Sequence, residues 1–156
     1  GFGPMNEQSL ENYTAIVTGA SRGYGAGIAQ ALTEAGANVW ITGRDEKQLD
    51  AVAERLGAIP VVGDVTDGSC WDQLFDEIRE SAGRLDLLVN NAGSGIKIAP
   101  LAEQSDDDIQ KSIAVNLTGA ILGCRRAAQL MLPQQSGLVV NIGSVCAKHA
   151  WPEWSI

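Results

Sequence analysis

The stretch of the sequence best suited to chemistry is Thr18 to Gly25, which reads TGASRGYG and stands between an apolar run and a helical pattern. Glycines at such a turn let the backbone approach a pyrophosphate closely, and the start of a helix offers unpaired N–H groups at the positive end of its dipole. A strand, a glycine turn and a helix in this order are the context of a dinucleotide-binding motif. We therefore predict a phosphate-binding turn, against the alternative of a tight turn with a structural role alone.

The elements that would position this turn alternate regularly along the chain. Short β-branched or apolar runs are each followed by helical periodicity, and no linker rich in Ser, Gly or Pro interrupts them. The predicted strands are Tyr13 to Thr18, Asn38 to Thr42, Ile59 to Gly63, Leu85 to Asn90 and Leu138 to Ile142, and the predicted helices are Gly23 to Ala35, Glu46 to Leu56, Cys70 to Ala82 and Asp106 to Leu132. The alternation predicts an α/β fold with a doubly wound parallel sheet and helices on both faces.

Local residues predict where several helices begin and end. Asp45, with a glutamine three residues later, forms a capping-box pattern, and Gly57 stands where a C-cap glycine belongs. Ser105 precedes three aspartates, Asp106 to Asp108, which we interpret as capping residues at the positive end of the fourth helix rather than as a binding site. Pro133 is predicted to end that helix.

The glycine spacing is GxxxGxG rather than GxGxxG, and four further patterns follow it in order. They are Gly63-Asp64-Val65 after the third strand, Asn90-Asn91-Ala92-Gly93 after the fourth, Asn116 within AVNLTG, and Ser144 within NIGSVCA. Together these patterns resemble the single-domain branch of the short-chain dehydrogenase/reductase superfamily, whose glycine motif reads TGxxxGxG. The resemblance implies a Rossmann-type sheet with strand order 3-2-1-4-5 in this part of the domain.

The resemblance also implies roles for individual residues. The implied cofactor-binding residues are Thr18, Gly19, Ser21, Arg22, Gly23, Tyr24, Gly25, Arg44, Asp64, Val65, Asn90, Ala92 and Gly93. Ser144 would donate a hydrogen bond to the substrate oxygen, and Asn116 would hold a water that links a catalytic lysine to solvent. Tyr24 departs from the family pattern, because an aliphatic residue usually stands between the last two glycines.

The implied reaction interconverts a carbonyl and a secondary alcohol by hydride transfer. An alkoxide that forms near neutral pH needs a poised acid or base and a hydrogen-bond donor on its oxygen. In the family the acid is a tyrosine thirteen residues after the serine, with a lysine four residues later, and the matching positions lie beyond Ile156. We therefore expect the first part of an oxidoreductase domain, truncated after the fifth strand and inactive alone. The alternative is a non-catalytic dinucleotide-binding fragment, or half of a split protein that another chain completes.

The residues after the second strand bear on the choice of cofactor. NAD-binding folds commonly place an acid there for the ribose hydroxyls, whereas this chain has Gly43 followed by Arg44. Arg22 and Arg44 are the two cationic side chains among the first 46 residues, and guanidinium groups suit phosphate oxygens. The sequence therefore favours NADP(H) over NAD(H). Asp45 is the main counter-argument, because an acid there could turn toward the ribose.

The expected substrate is a small carbonyl or alcohol compound. Trp151 and Trp154 flank Pro152 on a segment that faces the substrate in the family, which favours an apolar or ring-bearing compound. Packing in the core or at a subunit interface is the alternative for either ring. The resemblance also implies a homo-oligomer, dimer or tetramer, built partly through the fourth helix.

Composition excludes several other classes of function. A formal net charge of −8 over 156 residues argues against a general nucleic-acid or anionic-membrane binder. The three cysteines are widely separated and lack metal-site spacing, so no metal is predicted and a reducing, cytoplasmic location is expected. No apolar run reaches the length of a membrane span. Residues 1–4 are interpreted as a tag remnant, which leaves 5–156 as the first part of one domain.

Overall fold

A computed structural model describes residues 9–93, 97–145 and 148. Trp151 and Trp154, the two predicted substrate-facing residues, lie outside the described residues. The elements in chain order are β1 (Thr14–Thr18), α1 (Gly23–Glu34), β2 (Asn38–Gly43), α2 (Glu46–Leu56), β3 (Ile59–Val62), α3 (Gly68–Ser81), β4 (Leu87–Asn90), a 3-10 turn (Leu101–Glu103), α4 (Asp106–Ile113), a π turn (Ala114–Thr118), α5 (Gly119–Gln134) and β5 (Leu138–Asn141).

The five strands form one parallel sheet in the order β3-β2-β1-β4-β5, which confirms the predicted strand order and the Rossmann-type fold. Strand β1 lies at the centre, where Ile16 is in register with Trp40 of β2 and with Leu88 of β4. The chain leaves β1 in opposite directions across the sheet toward these two neighbours. In open α/β sheets a crevice forms beyond the carboxyl ends of the strands at such a switch point.

Apolar side chains alternate along β1 and build a core on each face of the sheet. Val17 packs with residues of α1 and α2, including Ala29 and Leu49. Ile16 points to the opposite face and packs with residues of α3 and α5, including Trp71. Because successive strand side chains point to opposite faces, a strand that is buried at every position requires helices on both sides, as the sequence predicts.

The ends of α2 follow the predicted capping residues, and the start of α3 differs from the prediction. Asp45 caps α2 by accepting the backbone N–H of Gln48 at 2.9 Å, and Gly57 ends that helix in a left-handed conformation. Helix α3 begins at Gly68, two residues before the predicted start, because the Asp67 carboxylate accepts the backbone N–H of Ser69 at 2.8 Å and caps it there.

The fourth predicted helix differs from the expectation in its middle and at its end. It consists of α4, the π turn and α5, so the hydrogen-bonding pattern widens at residues 114–118. The prediction that Pro133 ends the helix is wrong, because α5 continues to Gln134 and stops where Gln135 takes a left-handed conformation with φ 53°. Proline has a helix-compatible φ, and near a helix end it removes only one backbone donor.

Among the described residues, no helix combines the length and the apolar character that crossing a membrane requires.

Candidate functional site

An open cleft of about 540 Å³ lies beyond the carboxyl ends of β1, β2, β3 and β4. Five segments contribute to it: the turn between β1 and α1, the start of α2, the loop after β3, the residues after β4, and the π turn. The lining residues are Gly19, Ser21, Arg22, Gly23, Tyr24, Gly25, Gly43, Arg44, Asp45, Gln48, Gly63, Asp64, Val65, Asn91, Ala92, Gly93 and Val115. Eleven of the thirteen predicted cofactor-binding residues are in this set, the exceptions being Thr18 and Asn90.

Close backbone packing at the glycine turn explains its composition. Gly19 has φ 67°, and a Cβ there would lie 2.8 Å from the Cα of Ala92. A Cβ on Gly25 would collide with the carbonyl oxygen of Gly19 and lie 2.6 Å from the Nδ2 of Asn91. The first turn of α1 therefore lies directly against the loop that precedes it, which no side chain would permit.

The residues after β4 hold the glycine turn in place. The Oγ1 of Thr18 accepts the backbone N–H groups of Asn91 and Ala92 at 3.0 and 2.9 Å. In return, the Nδ2 of Asn91 donates to the carbonyl oxygens of Thr18 and Gly19 at 2.9 and 3.3 Å. Asn91 is thus a site residue that was absent from the predicted cofactor-binding set. The NNAG pattern that contains it was the signal that could have identified it.

Helix α1 differs from α2 and α3 at its N-terminus. Asp45 and Asp67 cap α2 and α3 with side-chain hydrogen bonds, whereas the N-cap residue of α1, Arg22, makes no such bond. The first residues of α1, which line the cleft, therefore lack the side-chain cap that α2 and α3 have. An anion at this position would satisfy their N–H groups and would lie at the positive end of the helix dipole.

Polar and cationic groups line the end of the cleft beside β2 and β3. The Nη1 of Arg44 lies 3.7 Å from the Oδ2 of Asp64, and both side chains remain partly exposed. The Oδ1 of Asp64 accepts from the backbone N–H and the hydroxyl of Thr66 at 2.9 and 2.8 Å, which fixes its orientation. The hydroxyl of Ser21 is buried against Gly43 and has no hydrogen-bond partner among the described residues.

The carboxylate of Asp45 is occupied by its capping role. Its Oδ1 accepts the backbone N–H of Gln48 at 2.9 Å, and its Oδ2 accepts the side-chain Nε2 of the same residue at 2.6 Å. Asp45 lines the cleft, but both of its oxygens are already engaged by Gln48.

Thr18 and Asn90 support the site from beneath the cleft. The Nδ2 of Asn90 donates to the Oδ1 of Asn141 on β5 at 2.8 Å and contacts the Sγ of Cys124 on α5 at 3.4 Å. This buried side chain therefore connects the ends of β4 and β5 with α5.

The two predicted catalytic residues lie at the same edge of the sheet as the glycine turn. Asn116 is in the π turn, and its Nδ2 donates to the Oγ of Ser112 at 3.3 Å. A Cβ on Gly93 would lie 3.1 Å from the Oδ1 of Asn116, so this amide is adjacent to the loop after β4. Ser144 is exposed and follows the end of β5, where Ile142 still donates its N–H to the carbonyl oxygen of Asn90 at 2.9 Å. Single π turns are frequent at functional sites.

Two further side chains lie in the cleft wall or directly behind it. Tyr24 is 88% exposed in the first turn of α1, so its ring stands open to the cleft. Cys70 packs beneath Gly63, where a Cβ would collide with its Sγ, and burial raises the pKa of its thiol. A buried neutral thiol of this kind acts as a small apolar group.

Within the described ranges, no cluster of three or more His, Cys, Asp or Glu residues could hold a metal ion.

Comparison with known proteins places these features in a family context. The model of the family described as "short chain dehydrogenase" matches residues 13–156. The chain is 37% identical over 154 residues to 3beta-hydroxysteroid dehydrogenase 1 of Eggerthella lenta, which covers 94% of this chain and 58% of that protein. It is 41% identical over 147 residues to dehydrogenase/reductase SDR family member 1 of Mus musculus, covering 86% of this chain and 47% of that protein.

Solved structures show the same fold. The crystal structure of a metagenomic short-chain oxidoreductase in complex with NADP matches with a TM-score of 0.87 and 34% identity, covering 92% of this chain and 67% of the other. The chain spans about half the length of the curated relatives it matches.

Proposed function

Because the chain belongs to the short-chain dehydrogenase family, we propose that it forms the cofactor-binding part of an NADP(H)-dependent oxidoreductase. The reaction of the whole protein interconverts a carbonyl and a secondary alcohol by hydride transfer. The observation that carries the proposal is the cleft in which the uncapped N-terminus of α1 meets a glycine turn with two arginines beside it.

The residues present fit a dinucleotide. Gly19 and Gly25 form a cradle without side chains in which a pyrophosphate could approach the backbone, and the uncapped N–H groups of α1 would bind its oxygens. Asp64 and Val65 line the cleft after β3, where the adenine would lie, and Ala92 and Gly93 line the part nearer to Asn116. Thr18 and Asn90 hold this frame through their hydrogen bonds.

Five observations favour a 2′-phosphate and hence NADP(H). Arg22 and Arg44 line the cleft, Gly43 leaves the ribose without a competing carboxylate, and the buried Ser21 hydroxyl is available as a donor. Asp45, the residue that argued for NAD(H), is engaged by Gln48. The similar metagenomic oxidoreductase was crystallised with NADP.

The chemistry is divided between the cofactor and the protein. The bound nicotinamide supplies or accepts the hydride. The hydroxyl of Ser144 donates a hydrogen bond to the carbonyl oxygen as negative charge develops on it, and Asn116 holds a water in the proton path. The tyrosine and lysine that complete this path in the family belong to positions beyond Ile156, so we expect the 156-residue chain alone to bind cofactor without turnover.

Titration of the chain with NADPH and NADH, followed by nucleotide fluorescence, tests the cofactor assignment. We expect NADPH to bind at least about tenfold more tightly, which corresponds to roughly 1.4 kcal/mol. Equal or tighter binding of NADH would contradict the assignment. Binding of NADPH by the whole protein without reduction of any small ketone or aldehyde would favour the alternative, a non-catalytic dinucleotide-binding module.

We also propose that the whole protein is a homo-oligomer that uses the face of α4 and α5. Ile113, Leu117 and Ile121 recur every four residues along this face and are 50%, 55% and 55% exposed. A solvent-exposed apolar stripe of this kind marks a contact surface. Ile121→Lys should lower the mass of the assembly in sedimentation experiments, whereas Arg125→Lys, a change at a neighbouring exposed residue, should leave it unchanged.

We also propose a cytoplasmic location for the protein. The free thiols of Cys70 and Cys124 fit a reducing compartment.

A further inference from the structure

A buried tryptophan connects α3 with the loop that lines the cleft after β3. Trp71 is 1% exposed, and its Nε1 donates to the carbonyl oxygen of Val65 at 2.8 Å. Val65 belongs to the loop of residues 63–67, which contributes three residues to the cleft wall. The indole therefore binds, from the buried side, the carbonyl group of a residue that lines the proposed cofactor cleft.

The far edge of the same ring lies against α5. A Cβ on Gly123 would lie 2.5 Å from the Cη2 of Trp71 and 2.7 Å from the Oδ1 of Asn90, so the indole fits directly onto the helix backbone. One turn earlier, a Cβ on Gly119 would lie 2.8 Å from the Cγ2 of Val65. The side chain of Val65 thus packs on α5 while its carbonyl group is held by Trp71.

These two contacts hold the peptide between Val65 and Thr66, one residue beyond Asp64. The Asp64 carboxylate is oriented by Thr66 and faces Arg44, and the Asp64 carbonyl oxygen accepts the backbone N–H of Asp67 at 2.9 Å. The bond from Trp71 holds the next carbonyl group of the same loop, that of Val65. Loss of the indole N–H would leave the carbonyl group of Val65 buried without this partner, which favours rearrangement of the loop toward water.

We propose that Trp71 is a positioning residue that holds the loop of residues 63–67 in the form that receives the adenine end of the cofactor. This inference rests on the proposed function, because it assumes that the cleft binds a dinucleotide. Trp71 does not touch the ligand in this arrangement. It acts through Val65, and its effect should appear in binding of the adenosine half rather than in the chemical step.

Replacement of Trp71 by Phe tests the proposal, because it keeps an aromatic ring in the core and removes the donor. The probe is 2′,5′-ADP, which carries the adenine, the ribose and the 2′-phosphate without nicotinamide. We expect its Kd to rise about tenfold. In the whole protein, the KM for NADPH should rise by a similar factor, while kcat should stay within about twofold.

Phe75→Leu is the matched control for a loss of core packing. Phe75 is fully buried on the same helix with its ring centroid 6.3 Å from that of Trp71, but it has no hydrogen-bond donor to give. We expect Phe75→Leu to lower the Tm while the Kd for 2′,5′-ADP stays within about twofold of the wild-type value. Equal weakening by both variants would reduce Trp71 to a core residue and overturn the proposal.

Hydrogen exchange of the Trp71 indole N–H in the wild-type chain provides a second test that needs no variant. We expect slow exchange in the free chain and slower exchange with 2′,5′-ADP bound. An exchange rate that the nucleotide leaves unchanged would overturn the proposal even if Trp71→Phe fails to fold. Absence of any 2′,5′-ADP binding by the wild-type chain would instead contradict the proposed function itself, and the two failures are thereby distinguished.

Discussion

Strands β1 and β5 end at the same edge of the sheet, and each leads into a part of the site, but they are supported differently. Strand β1 pairs with β2 and β4, and all five of its residues are buried. Among the described strands, β5 pairs with β4 alone, and Leu138 at its start is 59% exposed. The glycine turn, the proposed cofactor-binding part of the site, therefore rests on contacts within the described residues. The strand before Ser144 instead presents apolar surface that another polypeptide surface would cover.

If the glycine turn on β1 is built by close backbone packing, Gly25→Ala should have the largest effect. The added Cβ collides with the carbonyl oxygen of Gly19, so the first turn of α1 must move away from the cleft. We expect the affinity for NADPH to fall about 100-fold or more in fluorescence titrations. Gly27→Ala is the matched control, because a Cβ there meets nothing within 4 Å. This substitution should leave affinity unchanged and slightly stabilise α1.

Thr18→Val tests the connection between β1 and the residues after β4. The variant keeps the shape of the buried side chain and removes the acceptor for the N–H groups of Asn91 and Ala92. We expect the free energy of unfolding in urea to fall by about 2–3 kcal/mol, since two backbone donors lose their partner. A loss comparable to that of an exposed Thr→Val substitution, within about 0.5 kcal/mol of zero, would show that the connection is dispensable.

Arg44→Ala tests whether the cofactor half discriminates between nucleotides by charge. A hydrogen-bonded ion pair with a 2′-phosphate contributes about 1.5–3 kcal/mol, so NADPH should bind roughly 10- to 150-fold more weakly. Binding of NADH should change by less than about threefold, because NADH has no 2′-phosphate. Arg55→Ala removes an exposed arginine that bonds Gln30 outside the cleft and should affect neither nucleotide. Equal weakening of both nucleotides by Arg44→Ala would contradict selection by this residue.

The acid stability of the chain should depend on Asp86, which joins β1 to the segment before β4. Burial favours the protonated carboxyl, but hydrogen bonds from Arg84 and from the backbone N–H of Thr14 prevail and hold its pKa below the ordinary value. Because the folded pKa is the lower one, the stabilisation is complete above the ordinary carboxyl range, near pH 4, and is lost as the pH falls through the folded pKa.

Urea unfolding between about pH 6 and pH 2 should therefore show a shallower acid loss in Asp86→Asn than in the wild-type chain. Asp76→Asn removes an exposed ion pair with Arg79 and should leave the pH profile unchanged. Identical profiles for Asp86→Asn and the wild type would show that the carboxylate does not stabilise the fold through its charge.

Leu138→Lys should have the smallest effect on folding and a specific effect on association. Leu138 is more than half exposed on β5, so its replacement should change the free energy of unfolding by less than about 0.5 kcal/mol. A charge at this strand disfavours edge contacts, and sedimentation at high concentration should show less self-association of the 156-residue chain. Unchanged association would show that β5 is not the contact surface, and the proposed difference between β1 and β5 would be wrong.

The order of strands and helices was predictable because hydrophobic periodicity is a local property. All five strands and the three helices that follow β1, β2 and β3 were placed within about two residues. The π turn was not predicted, since one extra residue per turn over 114–118 leaves the apolar pattern almost unchanged. Gly119 follows it directly and packs on Val65, a contact over more than 50 positions that local periodicity does not contain.

The glycine turn, the capping residues and the alternation of elements follow from local sequence, because backbone conformation and helix ends depend on neighbours in the chain. Tertiary structure alone decided which groups support the turn. The hydrogen bonds between Thr18 and Asn91 join residues 73 positions apart, and the Ser21 hydroxyl becomes buried only when β2 brings Gly43 beside it. The hydrogen bond from Trp71 to Val65 likewise depends on the packing of α5, at Gly123, against the indole ring. Such contacts depend on how the crossovers stack the elements, and no short stretch of sequence carries that information.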